Sequence, residues 1–169
     1  KKDAEDHDLQ LRPQVYCQTK PQFLNGNKIH LDAFFVGQDK GRLQKLNQLQ
    51  EVFKKYGLNL RLHVIADKQI KYTTHEKSLI TYSSLSYTEY LSLLVQSRSV
   101  IELLQSTQSS ETIRSLESAF FNKKLITNNI SILESDLYDK DRVFILGHDK
   151  MESIAAFLNR RLQPPLKTL

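Results

Sequence analysis

From residue 31 onward, short apolar runs alternate with stripes of apolar residues three and four apart, and this constrains the fold more than any other feature. Runs of strand length fall at 33–36, 60–66, 79–82, 99–104, 124–127 and 143–146. Most are apolar without strict alternation, as expected of strands covered on both faces. Between them, Leu43, Leu46, Leu49, Phe53 and Tyr56 repeat at helical spacing, and Gly57 stands where a C′ glycine belongs. A second stripe, Tyr87, Tyr90, Leu91, Leu94 and Val95, opens with the capping box Ser86-x-x-Glu89. Ile113, Leu116, Ala119 and Phe120 make a third. Met151, Ile154, Ala155, Leu158 and Leu162 make a fourth, opened by Asp149-x-x-Glu152, and 129–135 adds a short helical turn. Strands alternating with helices imply right-handed crossovers and one parallel sheet. The expected fold is α/β, a Rossmann-like doubly wound sheet of five to six strands with helices on both faces.

Residues 1–30 carry no sustained period. They hold Pro13, Pro21 and the turn pair Asn25-Gly26, and they read as a tail or linker. The domain then spans 31–162, and Pro164-Pro165 closes it before a tail over 163–169. The chain has 169 residues and no initiator Met, from which we expect a piece of a longer protein. Its longest apolar run, 154–158, is far too short to span a bilayer. One cysteine, Cys17, excludes an internal disulfide and any multi-cysteine zinc site, and suits the cytoplasm. The five histidines have no metal-ligand spacing and no serine partner, so neither a metal nor a nucleophile elbow is expected. No acidic pair follows the first strand in the form a phosphate-receiving receiver domain needs.

Net charge is +5, from 24 Lys and Arg against 19 Asp and Glu. The bias concentrates in 40–72, where eight cations face Glu51 and Asp67. Nucleic-acid binding is disfavoured, because that stretch lacks aromatic interleaving and any recognition motif.

In an open parallel sheet, ligands gather outside the carboxyl ends of the strands, so the loops entering the helices carry the functional reading. The first, 37–42, offers Gly37 for close backbone approach, with Lys40 and Arg42 as point charge and planar donor fork at a helix start. It is neither Gly-x-Gly-x-x-Gly nor a Walker A loop. The same residues also read as an ordinary turn with two solvated cations. The second, 83–86, would set backbone groups of Ser84 and Leu85 against a nucleobase edge, or simply cap a helix through Ser86. The third, 105–112, is eight consecutive polar residues. Its hydroxyls and N–H groups make an anion cradle beside Arg114, with Glu117 one turn on to take ribose hydroxyls. Its other reading is a well-capped helix with a surface Arg114–Glu117 pair.

In order along the chain, Asp32-Ala33-Phe34-Phe35-Val36-Gly37-x-Asp39-Lys40-Gly41-Arg42, Tyr87-x-Glu89-Tyr90, Gln108-x-x-x-Thr112-x-Arg114-x-x-Glu117 and Lys124-Leu125-Ile126-Thr127-Asn128-Asn129 resemble bacterial glycosyltransferases. The similarity is to transferases of lipopolysaccharide and capsular polysaccharide assembly with the GT-B architecture, and covers about 31–160, their C-terminal, nucleotide-sugar-binding half. The resemblance implies that Gly37, Lys40 and Arg42 face the donor diphosphate. It likewise implies that Gln108, Ser109, Ser110 and Thr112 form the second cradle, Arg114 lies beside it, and Glu117 holds the ribose. Many retaining members carry two glutamates eight positions apart; Glu117 matches the second, and Ser109 stands at the first. The implied reaction needs no metal or further cofactor beyond the nucleotide-diphosphate-sugar donor. The acceptor, a glycan or lipid-linked glycan, would sit on an N-terminal half that the chain lacks, so the fragment is expected to bind nucleotide without turnover. Part of the positive charge would then face an anionic membrane at the inner side of the cytoplasmic membrane. A non-catalytic Rossmann-like interaction module that has lost nucleotide binding is the other reading.

Overall fold

The structure, a computed structural model, describes Tyr16 and residues 28–105 and 112–162. Its elements run β1 (Leu31–Gln38), α1 (Leu43–Lys55), β2 (Leu60–Ile65), α2 (Thr74–Lys77), α3 (Tyr87–Gln96), β3 (Ser97–Glu102), α4 (Ile113–Phe120), β4 (Lys124–Thr127), β5 (Val143–Ile145) and α5 (Ile154–Asn159). Single 3-10 turns precede β5 (Ile130–Glu134) and α5 (Met151–Ser153). The sheet is entirely parallel, ordered β2-β1-β3-β4-β5, as the Rossmann-like reading requires.

The expected strand at 79–82 shrinks to one parallel bridge between Thr81 and Ile65, outside β2. Thr81 N donates to Val64 O and Ala66 N to Thr81 O, each at 2.8 Å. With that position counted, the spatial order is 3-2-1-4-5-6, that of a dinucleotide-binding sheet. Leu79 and Ile80 pack against the α1-side core while Tyr82 is 75% exposed, so burial does not favour extending the pairing beyond Thr81.

Because both sheet faces are covered, consecutive strand residues enter different cores. Phe35, Ile101, Ile126 and Phe144 join Leu46, Phe53, Ile154 and Phe157 of α1 and α5 on one side. Phe34, Val100, Leu125 and Ile145 join Tyr90, Leu91 and Leu94 of α3 on the other. Gly57, at φ 65°, ends α1 as the sequence predicts, and the Ser86–Glu89 capping box opens α3.

Two local expectations need correction. Asp149 does not cap the last helix: its carboxylate accepts from Ile145 N and lies 3.1 Å from His148 Nδ1, while the 3-10 turn and α5 start without a side-chain cap. In α4 the apolar stripe is not the buried face. Ser115, Glu117 and Ser118 are buried, and Ile113 is 50% exposed. Small serines let the helix approach closely and give their hydroxyl protons to carbonyls one turn back, Ser115 to Thr112 O and Ser118 to Ser115 O.

Candidate functional site

The strand order reverses direction between β1 and β3, and two arginines reach into that switch point from opposite faces of the sheet. Arg42, just before α1, donates from Nε to Asp39 O at 3.0 Å and from Nη1 to Leu103 O at 2.6 Å, beyond the end of β3. Its Nη2 also donates to Gln38 O. Burial, moderated by Asp39 and reinforced by Arg114, lowers its pKa from the usual arginine value. Arg114, in the first turn of α4, crosses the other way: Nη2 donates to Val36 O of β1 at 2.8 Å, and the guanidinium lies 4.4 Å from the Tyr90 ring centre. Among the described residues neither arginine has a carboxylate within ion-pair distance.

Lys40 is exposed at the tip of the β1–α1 turn, where Lys40 and Gly41 hold successive positive φ values of 46° and 77°. Gly37 sits beside this group; a Cβ there would stand 3.2 Å from the Phe35 ring and 3.6 Å from Arg42 Nη2. Asp39 is buried, its carboxylate accepting from Leu43 N at 2.6 Å and from Tyr72 Oη at 2.9 Å. It satisfies an early α1 N–H and so fixes the helix end that carries Arg42.

Glu117 faces inward, 2% exposed, and makes no ion pair with Arg114. Tyr90 Oη donates to its Oε2 at 2.6 Å and Tyr87 Oη to its Oε1 at 3.1 Å. Tyr16 Oη lies 2.7 Å from Tyr87 Oη, and its ring packs edge-on against Phe120. With the Tyr87 proton given to Glu117, Tyr16 is the donor of that pair. Burial foremost, with the nearby Glu117 charge contributing, raises the pKa of both Tyr87 and Tyr90 above the ordinary phenol value.

A third buried carboxylate, Glu102, closes β3. Thr112 Oγ1 donates to its Oε1, and Thr127 Oγ1 to its Oε2 at 2.6 Å. Thr112 is the N-cap of α4, its hydroxyl accepting from Arg114 N at 3.1 Å. Asn128 pairs with the Leu104 backbone in both directions, at 2.7 and 3.0 Å. Beside this crevice, on the α1 side, opens a largely apolar groove of about 440 Å³, lined by Leu49, Val52, Leu103, Leu146 and Met151 among others.

The structure thus gathers Gly37, Lys40, Arg42, Thr112 and Arg114 at the carboxyl ends of β1 and β3, with Glu117 behind them. Ser84 is exposed and Leu85 half-buried on the loop before α3. Gln108, Ser109 and Ser110 lie outside the described residues. The role of Glu102 escapes the sequence reading, although a lone acid inside the run Ser-Val-Ile-Glu-Leu-Leu must find buried partners and is itself a signal. Asp39 shows the same kind of signal, an acid just before a helix start. Among the described residues no group of three or more His, Cys, Asp or Glu could hold a metal, and no helix is long and apolar enough to cross a membrane.

The fold and crevice together define a Rossmann-like α/β domain with a cationic switch point. Compared with family models, with curated proteins and with solved structures, the chain finds no match.

Proposed function

We propose that the chain is the donor-binding half of a glycosyltransferase. It would hold a nucleotide-diphosphate sugar while the sugar passes to a glycan or lipid-linked glycan in bacterial surface-polysaccharide assembly. The observation that carries this reading is the pair Arg42 and Arg114, converging at the switch point without ion-pair partners among the described residues. Cations held there suit a diphosphate, and planar guanidinium donors suit its oxygens. Arg42 spends three of its five N–H donors on carbonyls and keeps two. As the bond from the sugar carbon to the diphosphate breaks, negative charge grows on the leaving oxygen, and fixed cations stabilise that change. The neighbouring apolar groove gives space for the uncharged part of a donor. The acceptor would come on a second half, at an anionic membrane surface.

Calorimetric titration with UDP, GDP and CMP, repeated on Arg114→Ala, tests the assignment. One nucleotide should bind the wild type and bind Arg114→Ala about ten-fold or more weakly. Absence of binding by all three at millimolar concentration would remove it and favour the second reading, an interaction module. That reading draws on Glu117, whose two oxygens are already taken by Tyr87 and Tyr90.

A further inference from the structure

We propose that Glu102 is a positioning residue of the anion site, one that sets the N-terminal end of α4 and hence Arg114 without touching ligand. The inference rests on the donor-site reading above and names a residue that reading does not use.

Glu102 is 4% exposed at the last position of β3. A buried carboxylate is costly unless its lone pairs are satisfied, and here both oxygens accept from threonine hydroxyls belonging to different elements. Thr127 ends β4, so one bond ties Glu102 to the adjacent strand. Thr112 caps α4, so the other ties it to the helix. The Thr112 hydroxyl gives its proton to Glu102 and accepts the Arg114 amide, a relay that runs from sheet to helix end in three atoms. Thr112 is therefore committed inward, acting through the helix end it fixes. Asn128 meanwhile clips the Leu104 backbone, so residues 127 and 128 fasten the end of β3 to β4, and Glu102 carries that anchorage on to Thr112 at the start of α4. Helix α4 has only eight residues and little apolar burial of its own. Its first turn accordingly depends on such ties.

Charge and position make opposite predictions for this residue. Judged by charge alone, an anionic group beside a diphosphate repels it, and neutralising Glu102 should tighten nucleotide binding. Judged by position, Gln leaves one acceptor oxygen for two hydroxyl donors and Leu leaves none, so the Thr112 tie loosens, Arg114 drifts and binding should weaken.

The test has two readouts on Glu102→Gln and Glu102→Leu in the full chain. The first needs no ligand: exchange of the Arg114 amide, followed by hydrogen–deuterium exchange, should speed up at least about ten-fold in Glu102→Gln, which keeps Thr112 intact. The second is the Kd for whichever of UDP, GDP or CMP binds the wild type. It should rise about ten-fold in Glu102→Gln and further in Glu102→Leu. Thr112→Val should add little on top of Glu102→Gln, because both cut the same relay. If Glu102→Leu fails to fold, Glu102→Gln and Thr112→Val still decide the matter. Unchanged Arg114 exchange, or nucleotide binding as tight as or tighter than wild type in a folded Glu102 variant, overturns the positioning role. Wild-type silence toward all three nucleotides overturns the donor-site reading instead, and the exchange result alone then decides whether Glu102 holds the helix.

Discussion

Lys40 holds a left-handed backbone conformation, φ 46°, which costs a residue with a Cβ about 1 kcal/mol. Glycine would remove that strain but would add unfolded-state entropy of about 0.5–1 kcal/mol. Lys40→Gly should therefore stay within about 1 kcal/mol of wild-type stability in urea titration, and under the proposed donor site it should weaken nucleotide binding measured by calorimetry. At the opposite end of the sheet, Lys123 and Lys124 donate their ammonium protons to backbone carbonyls of Val95, Ser97, Phe157 and Arg160. Burial, the largest cause for both, lowers each pKa from 10.5 to about 8. The folded chain thus sheds these protons first, and between about pH 8 and 10 the unfolded chain binds more. Stability should rise with pH across that window. The urea midpoint should climb between pH 7.5 and 9.5, less so in Lys123→Met. Above pH 10 the raised tyrosine values act the other way, since the unfolded chain ionises its phenols first.

Helix α4 shows how far an element can be read from its residues. Its existence and its place after a polar loop are legible from spacing, while its start falls at Ile113 rather than near Ser110, where the polar run alone would set it. Its orientation is not legible, because the apolar stripe is the stronger periodic signal while specific hydroxyl and carboxylate bonds decide which face turns inward. Ile113→Ser should change stability by no more than about 0.5 kcal/mol, its side chain being half exposed. Glu117→Ala should cost about 1–3 kcal/mol, because it strands the buried Tyr90 hydroxyl. Thermal or urea unfolding of the two variants checks the ranking, which reverses if the apolar face is the packed one. The cation pair of the crevice was legible for a simpler reason: both arginines stand at helix starts after strands, where topology alone sends them to the switch point. Their crossed bonds to Leu103 and Val36 depend on tertiary placement, which no local pattern carries.

At the scale of the molecule, one sheet separates two cores that share strands but not side chains. Ile154 of α5 and Ile132 of the turn before β5 are buried on opposite faces. Ile154→Val and Ile132→Val should each cost about 0.5–1.5 kcal/mol, and the double variant should equal their sum within about 0.5 kcal/mol. A larger coupling would mean that the sheet transmits packing strain from one layer to the other. The same sheet is also short at both margins. On one side Thr81 occupies the outer edge of β2 at Val64–Ala66, and the rest of that edge carries the exposed Arg61. On the other side β5 runs for only three residues. Neither margin offers a long unpaired row of N–H and C=O groups, so two copies of the chain have little template for joining strand to strand. A single bridge at Thr81, too small to count as a strand, helps keep the sheet from growing into its neighbours.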